Sequence, residues 1–261
     1  MDIVGVYSYF CKLNSLNRKN MNTDITTFIS KYREAFGEKP ELPIVFYYSD
    51  TPAGTNGKTG GCFFKCLYAA REGQPISLNA ETIGCGGGKL YTGFAPMPPH
   101  VPSFVSEKER YKASPADVTE CIDKLDIRLT TRKYLNFVRI DKAESLDMIE
   151  GLLFIVTPDI LSGLAAWAFF DNNSDCAVSC LFGSGCSSVV AQAVRENRLG
   201  GRRTFIGMLD PSARPYIGAD ELSFVIPAVR LPEMLDTIDQ CCLSGTHGWT
   251  KIKERINGRM E

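Results

Sequence analysis

Two cysteines stand among small residues in a way that suggests chemistry. "IGCGGGKL" (83–90) surrounds Cys85 with four glycines, and "LFGSGCSSVV" (181–190) places Cys186 behind Gly183, Ser184 and Gly185 and ahead of Ser187 and Ser188. The second stretch joins an apolar strand-like run to a helix-like one, so Cys186 falls on a sharp bend where glycine gives backbone freedom and room for a ligand. A thiol at a helix N-terminus meets the positive end of the helix dipole, which favours the thiolate, the nucleophilic and metal-ligating form. Cys186 is thus the candidate catalytic residue. The glycines Gly86, Gly87 and Gly88 cost chain entropy, so this run is expected either to adopt backbone conformations closed to other residues or to lie against a ligand. Ser184, Gly185, Ser187, Asp210 and Arg214 complete the ligand-binding candidates; the last two, in "DPSAR", either brace a turn as an ion pair or let Arg214 recognise a carboxylate or phosphate.

Ligands drawn from separate segments leave no spacing signature, and Cys66, Cys85 and Cys186 form the candidate set for a metal ion or an iron-sulfur cluster. Cys62 and Cys66 on one helix face, and Cys176 and Cys180 on one strand, lack C-x-x-C spacing, so a zinc ribbon or ferredoxin run is unsupported. "PAGTNGKT" (52–59) has Pro52 where a phosphate loop requires glycine, and "GCGGG" lacks the dinucleotide pattern. A Cys-His-Asp hydrolase would need His100 or His247 as base, beside Cys186 and Asp210; these are the chain's two histidines.

The elements that must carry these residues alternate. Apolar spacing at Ile25, Phe28, Ile29, Tyr32 and Phe36, with a Thr or Asp cap and a closing Gly37, predicts a first helix within 23–41. Strands are expected at 42–50, 134–141, 151–157 and 176–182, in "RTFIGMLD" and in "ELSFVIP"; helices at 62–73, 158–170, after Cys186 and at 231–243. The proline-rich 95–104 reads as a loop. Strand, helix, strand and glycine-flanked cysteine recur at 42–88 and 151–188, which would match Cys85 with Cys186, and "LLFIVTPDILSGL" echoes "LSFVIPAVRLPEML". The expected fold is an α/β (or α+β) mixed β-sheet with flanking helices, two similar strand-helix-strand halves being one arrangement. Residues 1–20 read as a poorly ordered extension and 21–261 as a single domain.

The 261-residue chain is long enough for a substantial core. It carries 29 basic and 30 acidic side chains without a basic block, which argues against nucleic acid as a partner. Its longest apolar stretch contains Pro158 and Asp159, which argues against a membrane span, and Asp2 stands where a secretory signal needs cations. Ten cysteines without such a signal favour a reducing cytoplasm.

"CLYAAREG", "IGCGGGKLYTGF", the "PD" helix start at 158, "GSGCSS", "DPSARPY", "DELSFVIP" and "THGWTKIKERIN", in that order, resemble the uncharacterised ArCR family, domain of unknown function 169, over about residues 25–258. The resemblance implies a prokaryotic protein and a shared site, with Cys85, Cys186, Asp210 and Arg214 at the positions of the recurring motifs. From residues and resemblance together, the expectation is a small-molecule ligand, metal or cluster in a thiol-rich pocket with a redox or sensing role. The alternatives are a non-catalytic anion-binding module and the cysteine hydrolase.

Overall fold

The computed structural model describes residues 24–57, 61–181 and 183–258; the expected 1–20 extension lies outside them. Eight strands form one sheet: β1 (Ile44–Ser49), β2 (Thr55–Asn56), β3 (Ile76–Leu78), β4 (Tyr134–Arg139), β5 (Gly151–Val156), β6 (Val178–Ser179), β7 (Thr204–Gly207) and β8 (Leu222–Pro227). The order is β2-β3-β4-β1-β5-β8-β7-β6. Neighbours are antiparallel except β2–β3 and β6–β7.

That order is unchanged when each strand of the first half is exchanged for its counterpart in the second: β1 for β5, β2 for β6, β3 for β7, β4 for β8. The two parallel pairs exchange as well. Each is bridged by a helix, α2 (Phe64–Arg71) in the first half and, in the second, a π turn Ser187–Ala191 running into α6 (Gln192–Leu199). Both helices are followed by glycines at positive φ, Gly73 at 84° and Gly200 at 63°, where a side chain would be strained. The chain is therefore built of two halves of like topology, but their register differs from the expected one. Gly61-Cys62 ahead of α2 corresponds to Gly185-Cys186, and the Cys85 loop after β3 corresponds to the Asp210 loop after β7.

The remaining helices are α1 (Ile25–Phe36), α3 (Gly86–Tyr91), α4 (Pro115–Asp123), α5 (Pro158–Phe170), α7 (Leu231–Thr237) and α8 (His247–Ile256). Alternation along the strands sends Val45, Leu152 and Phe154 to one face, where α1, α5, α7 and α8 cover them, and Phe46, Leu153 and Ile155 to the other, under α2 and α6. The layers are helix, sheet, helix. α1 begins where the Asp24 carboxylate accepts the Thr27 amide and stops at Gly37. The strand expected over 176–182 shrinks to two residues, because the Ala177 amide bonds Ser174 and the Ser179 hydroxyl bonds the Cys176 carbonyl, so turns replace the ladder. Part of the expected loop 95–104 is helical: Val101–Ser103 forms a turn that continues as a π turn, Phe104–Lys108.

Candidate functional site: a thiol and carboxylate cluster between the two halves

The two repeat helices bring their N-terminal ends together. A Cβ added at Gly185 would stand 2.9 Å from the Phe64 ring of α2, 2.8 Å from Met208 Sδ and 3.0 Å from Ala213 Cβ, so only glycine permits this approach. Gly183 and Gly185 have ordinary backbone angles, and it is the contact at Gly185 that demands glycine. Met208, fully buried at the end of β7, holds φ at 64°, a strained angle for a side chain of its size.

Four groups meet here in matching pairs, Cys62 and Cys186 from the helix starts, Cys85 and Asp210 from the loops after the equivalent strands. Burial pushes the Cys62 thiol up to about 11, and Cys85 and Asp210 push it the same way. Burial likewise carries Cys186, 6% exposed, far above the ordinary thiol range, with Cys62, Cys85 and Asp210 adding to it against a Ser184 hydrogen bond. Ser184 Oγ lies 3.3 Å from Cys186 Sγ, and Tyr91 of α3 packs on the same buried cluster. Tyr111 closes another side through Ser212 and feels the Asp210 charge.

The expected thiolate at Cys186 is therefore corrected to a buried, protonated thiol. The dipole argument fails for a specific reason. Asp210, 3% exposed, accepts the Gly185 amide at 3.3 Å, the first residue of the helical run 185–199, so a carboxylate already occupies the positive end. Ser212 holds that carboxylate through its amide at 2.9 Å and its hydroxyl at 2.8 Å. Ser187 and Ser188 are buried; Ser188 Oγ donates to the Gly185 carbonyl and accepts from the Met208 amide, tying the bend to β7.

Cys85 differs from the other two because it is exposed. Its Sγ accepts the Gly88 amide at 3.5 Å as the N-cap of α3. Gly86, Gly87 and Gly88 are helical rather than a loop of unusual backbone, and none has positive φ. Close packing accounts for Gly88, whose added Cβ would meet Ile83 at 2.9 Å, and in part for Gly86, against Pro98 at 3.2 Å; Gly87 has room. Three glycines in six residues make a poor helix, each about 0.8–1.0 kcal/mol worse than alanine. Tertiary contacts hold α3: the Tyr48 hydroxyl donates to the Thr92 carbonyl, Tyr91 packs on the cluster around Cys186, and Leu90 is buried.

Three expectations are corrected by this geometry. Among the described residues no three Cys, His, Asp or Glu side chains are placed to hold a metal ion, so the Cys66, Cys85 and Cys186 set does not form. Cys66 lies a turn beyond Cys62, turned to Gly57 and β3, where a Gly57 Cβ would be 3.3 Å from its Sγ. Arg214 faces away: its guanidinium donates to the carbonyls of Gly218, Ala219 and Glu221 and forms no ion pair with Asp210 among the described residues, although its own amide bonds the Asp210 carbonyl. The histidines do not complete a triad. His247 opens α8 on the opposite face of the sheet from Cys186, and His100 is exposed without a hydrogen bond to any described cysteine.

Cys62, Tyr91, Tyr111 and Ser212 are the site residues that sequence reasoning passed over. The signal for Cys62 was its place in "GGC", between a strand and a helix as in "GSGC". A cleft of about 870 Å³ lies elsewhere, between α1 and α8, where charges of both signs pair, as in Lys31 with Asp239.

The fold and site define a duplicated mixed-sheet α/β protein with a thiol and carboxylate cluster at the junction of its halves. The description of the uncharacterised ArCR proteins, domain of unknown function 169, matches residues 36–237, more than three quarters of the chain, and the chain belongs to that family. No curated protein and no solved structure matches it. Among the described residues no helix is long and apolar enough to cross a membrane.

Proposed function

We propose that the cluster is a thiol redox centre, in which exposed Cys85 exchanges with a small disulfide or electrophile and Cys62 is its resolving partner. One observation carries the reading: Cys62 and Cys186 share one buried cluster with Tyr91 of α3, the helix that exposed Cys85 caps, and Asp210 accepts the Gly185 amide beside Cys186. Attack begins at the thiol that solvent reaches, since only the thiolate is nucleophilic and Cys62 and Cys186 hold their protons at neutral pH. Cys85 takes one sulfur of a small disulfide and releases the other as a thiol. Cys62 then displaces the bound half, its proton leaving with the second thiol, so one disulfide is reduced and the Cys62–Cys85 pair oxidised. Cys186 and Asp210 form the buried floor. The partner is a small molecule and the setting a reducing cytoplasm, where ten cysteines stay free until an oxidant arrives.

The test is to titrate the protein with glutathione disulfide and map the bonds by peptide mass spectrometry. A Cys62–Cys85 bond should form first and vanish in Cys85→Ser. If iodoacetamide labels Cys85 no faster than half-buried Cys121, or oxidation falls equally on exposed Cys176 and Cys180, the reading is wrong.

A further inference from the structure

Resting on the thiol reading above, the geometry points to α3 as a redox-released element: formation of the Cys62–Cys85 disulfide, with a small disulfide as oxidant, uncaps the helix and loosens its packing against the Cys186 bend. The Cys85 sulfur has two incompatible tasks. In the reduced protein it caps α3 by accepting the Gly88 amide at 3.5 Å. In the oxidised protein it must lie about 2.05 Å from Cys62 Sγ. Both are free thiols here, and in the proposed step it is the exposed Cys85 sulfur that moves to close the bond.

α3 is built to respond. It is six residues long, half of them glycine, too short and too weak to persist by propensity. Its far end is what couples it to the site. Tyr91 packs on the buried cluster that holds Cys186, Val189 and Val190, α3 lies against the π turn Ser187–Ala191, and the carbonyl of the next residue, Thr92, accepts the Tyr48 hydroxyl at 2.7 Å. A cavity of about 20 Å³ lined by Tyr48, Tyr91, Thr92 and Arg195 lies against this end, with room for roughly one water. Losing the cap therefore loosens a helix that packs against the π turn following Cys186, and the redox state of the thiols is transmitted to the shape of the site.

The electron balance is that of the exchange already written: two protein thiols become one disulfide, and one glutathione disulfide becomes two glutathiones. The readout is hydrogen exchange of the amides of Lys89, Thr92, Gly93 and Phe94, which bond to the Cys85, Gly88, Leu90 and Lys89 carbonyls. On oxidation their exchange should quicken at least about tenfold, the scale of a local opening, while β1 and β5 amides keep their rates. Cys85→Ser, which keeps a good N-cap, should show slow exchange with or without glutathione disulfide. A mapped Cys62–Cys85 bond with unchanged exchange overturns this inference alone. Failure of that bond to form overturns the thiol reading and this inference together.

Discussion

Gly185→Ala is the sharpest test of the packing that joins the two halves. The added methyl would sit 2.8 Å from Met208 Sδ, 2.9 Å from a Phe64 ring carbon and 3.0 Å from Ala213 Cβ, all three in buried residues drawn from the loop after β7 and the facing helix. Real Cβ contacts are longer, and the neighbours cannot retreat in concert: Met208 is already strained at φ 64° and Phe64 is packed on Phe63, ring centroids 4.8 Å apart. Overpacking of this kind costs about 1–3 kcal/mol. At roughly 2–4 °C per kcal/mol for a domain of this size, Tm should fall by about 2–12 °C. Gly87→Ala supplies the control in the other glycine run. There the new Cβ would find nothing nearer than 3.8 Å, in a helix, at ordinary φ, so the substitution should raise stability by about 0.5–1 kcal/mol. Thermal melts followed by circular dichroism read both. Equal shifts in the same direction would show that the repeat helices do not meet as described.

Further outcomes follow from charge. With its pKa pushed up to about 11, Cys62 should alkylate slowly at neutral pH and keep gaining rate until pH nears 11, well past about 8.5 where an ordinary thiol levels off. Asp210→Asn should shift that profile to lower pH, because the removed charge was raising the thiol; an unmoved profile would separate Asp210 from the cluster. The same raised thiols, Cys62 and Cys186, contribute stability that is complete below about pH 8.5 and lost as pH rises through their folded values, so Tm should decline in alkali and decline less in Cys186→Ala. In acid the signs reverse. The Arg230 hydrogen bond holds Asp171 low, and Glu221 is held low by Arg71 in spite of burial, so their contribution is present above about pH 4.3 and disappears as pH falls through their depressed values. Asp171→Asn should cost about 3 kcal/mol near neutrality, since it strips a partner from the fully buried Arg230 side chain, and should flatten that acid limb in a urea titration.

Much of the scaffold was readable because its signals are local. Asp24, the apolar spacing of α1 and Gly37 define one helix unaided, and β4, β5 and β8 are β-branched or aromatic runs between turn residues. α4 and α8 carried legible signals that were passed over, a Ser114 cap ahead of Pro115 and the amphipathic spacing of Trp249, Ile252 and Ile256. β2 and β6, at two residues each, are too short to show any period. The glycine run after Cys85 misled because propensity argues against a helix that the packing of Tyr91 and Leu90 and the Tyr48 bond to the Thr92 carbonyl impose. Of the residues singled out by type and spacing, Cys85, Cys186 and Asp210 lie near one another, whereas Arg214 and Cys66 turn elsewhere, because side-chain direction leaves no trace in spacing.

The register of the repeat explains both the success and the error. Matching one glycine-flanked cysteine with the other pairs Cys85 with Cys186, and any such pairing suggests two equivalent thiols with a shared chemistry. Topology instead pairs Cys62 with Cys186 and sets Cys85 opposite Asp210, so the halves contribute unlike groups at like positions. Asymmetry then follows from each substitution. Phe63 and Phe64 begin the first helix where Ser187 and Ser188 begin the second, and the aromatic pair fills the space that Gly185 leaves. The second half offers a carboxylate that caps its own helix and buries its own thiol, while the first offers a thiol that caps a glycine helix at the surface. A duplicated fold with identical loops would present two equivalent reactive cysteines; this one presents a single accessible sulfur backed by two protonated ones, which is the arrangement a directional attack at Cys85 and resolution by Cys62 require.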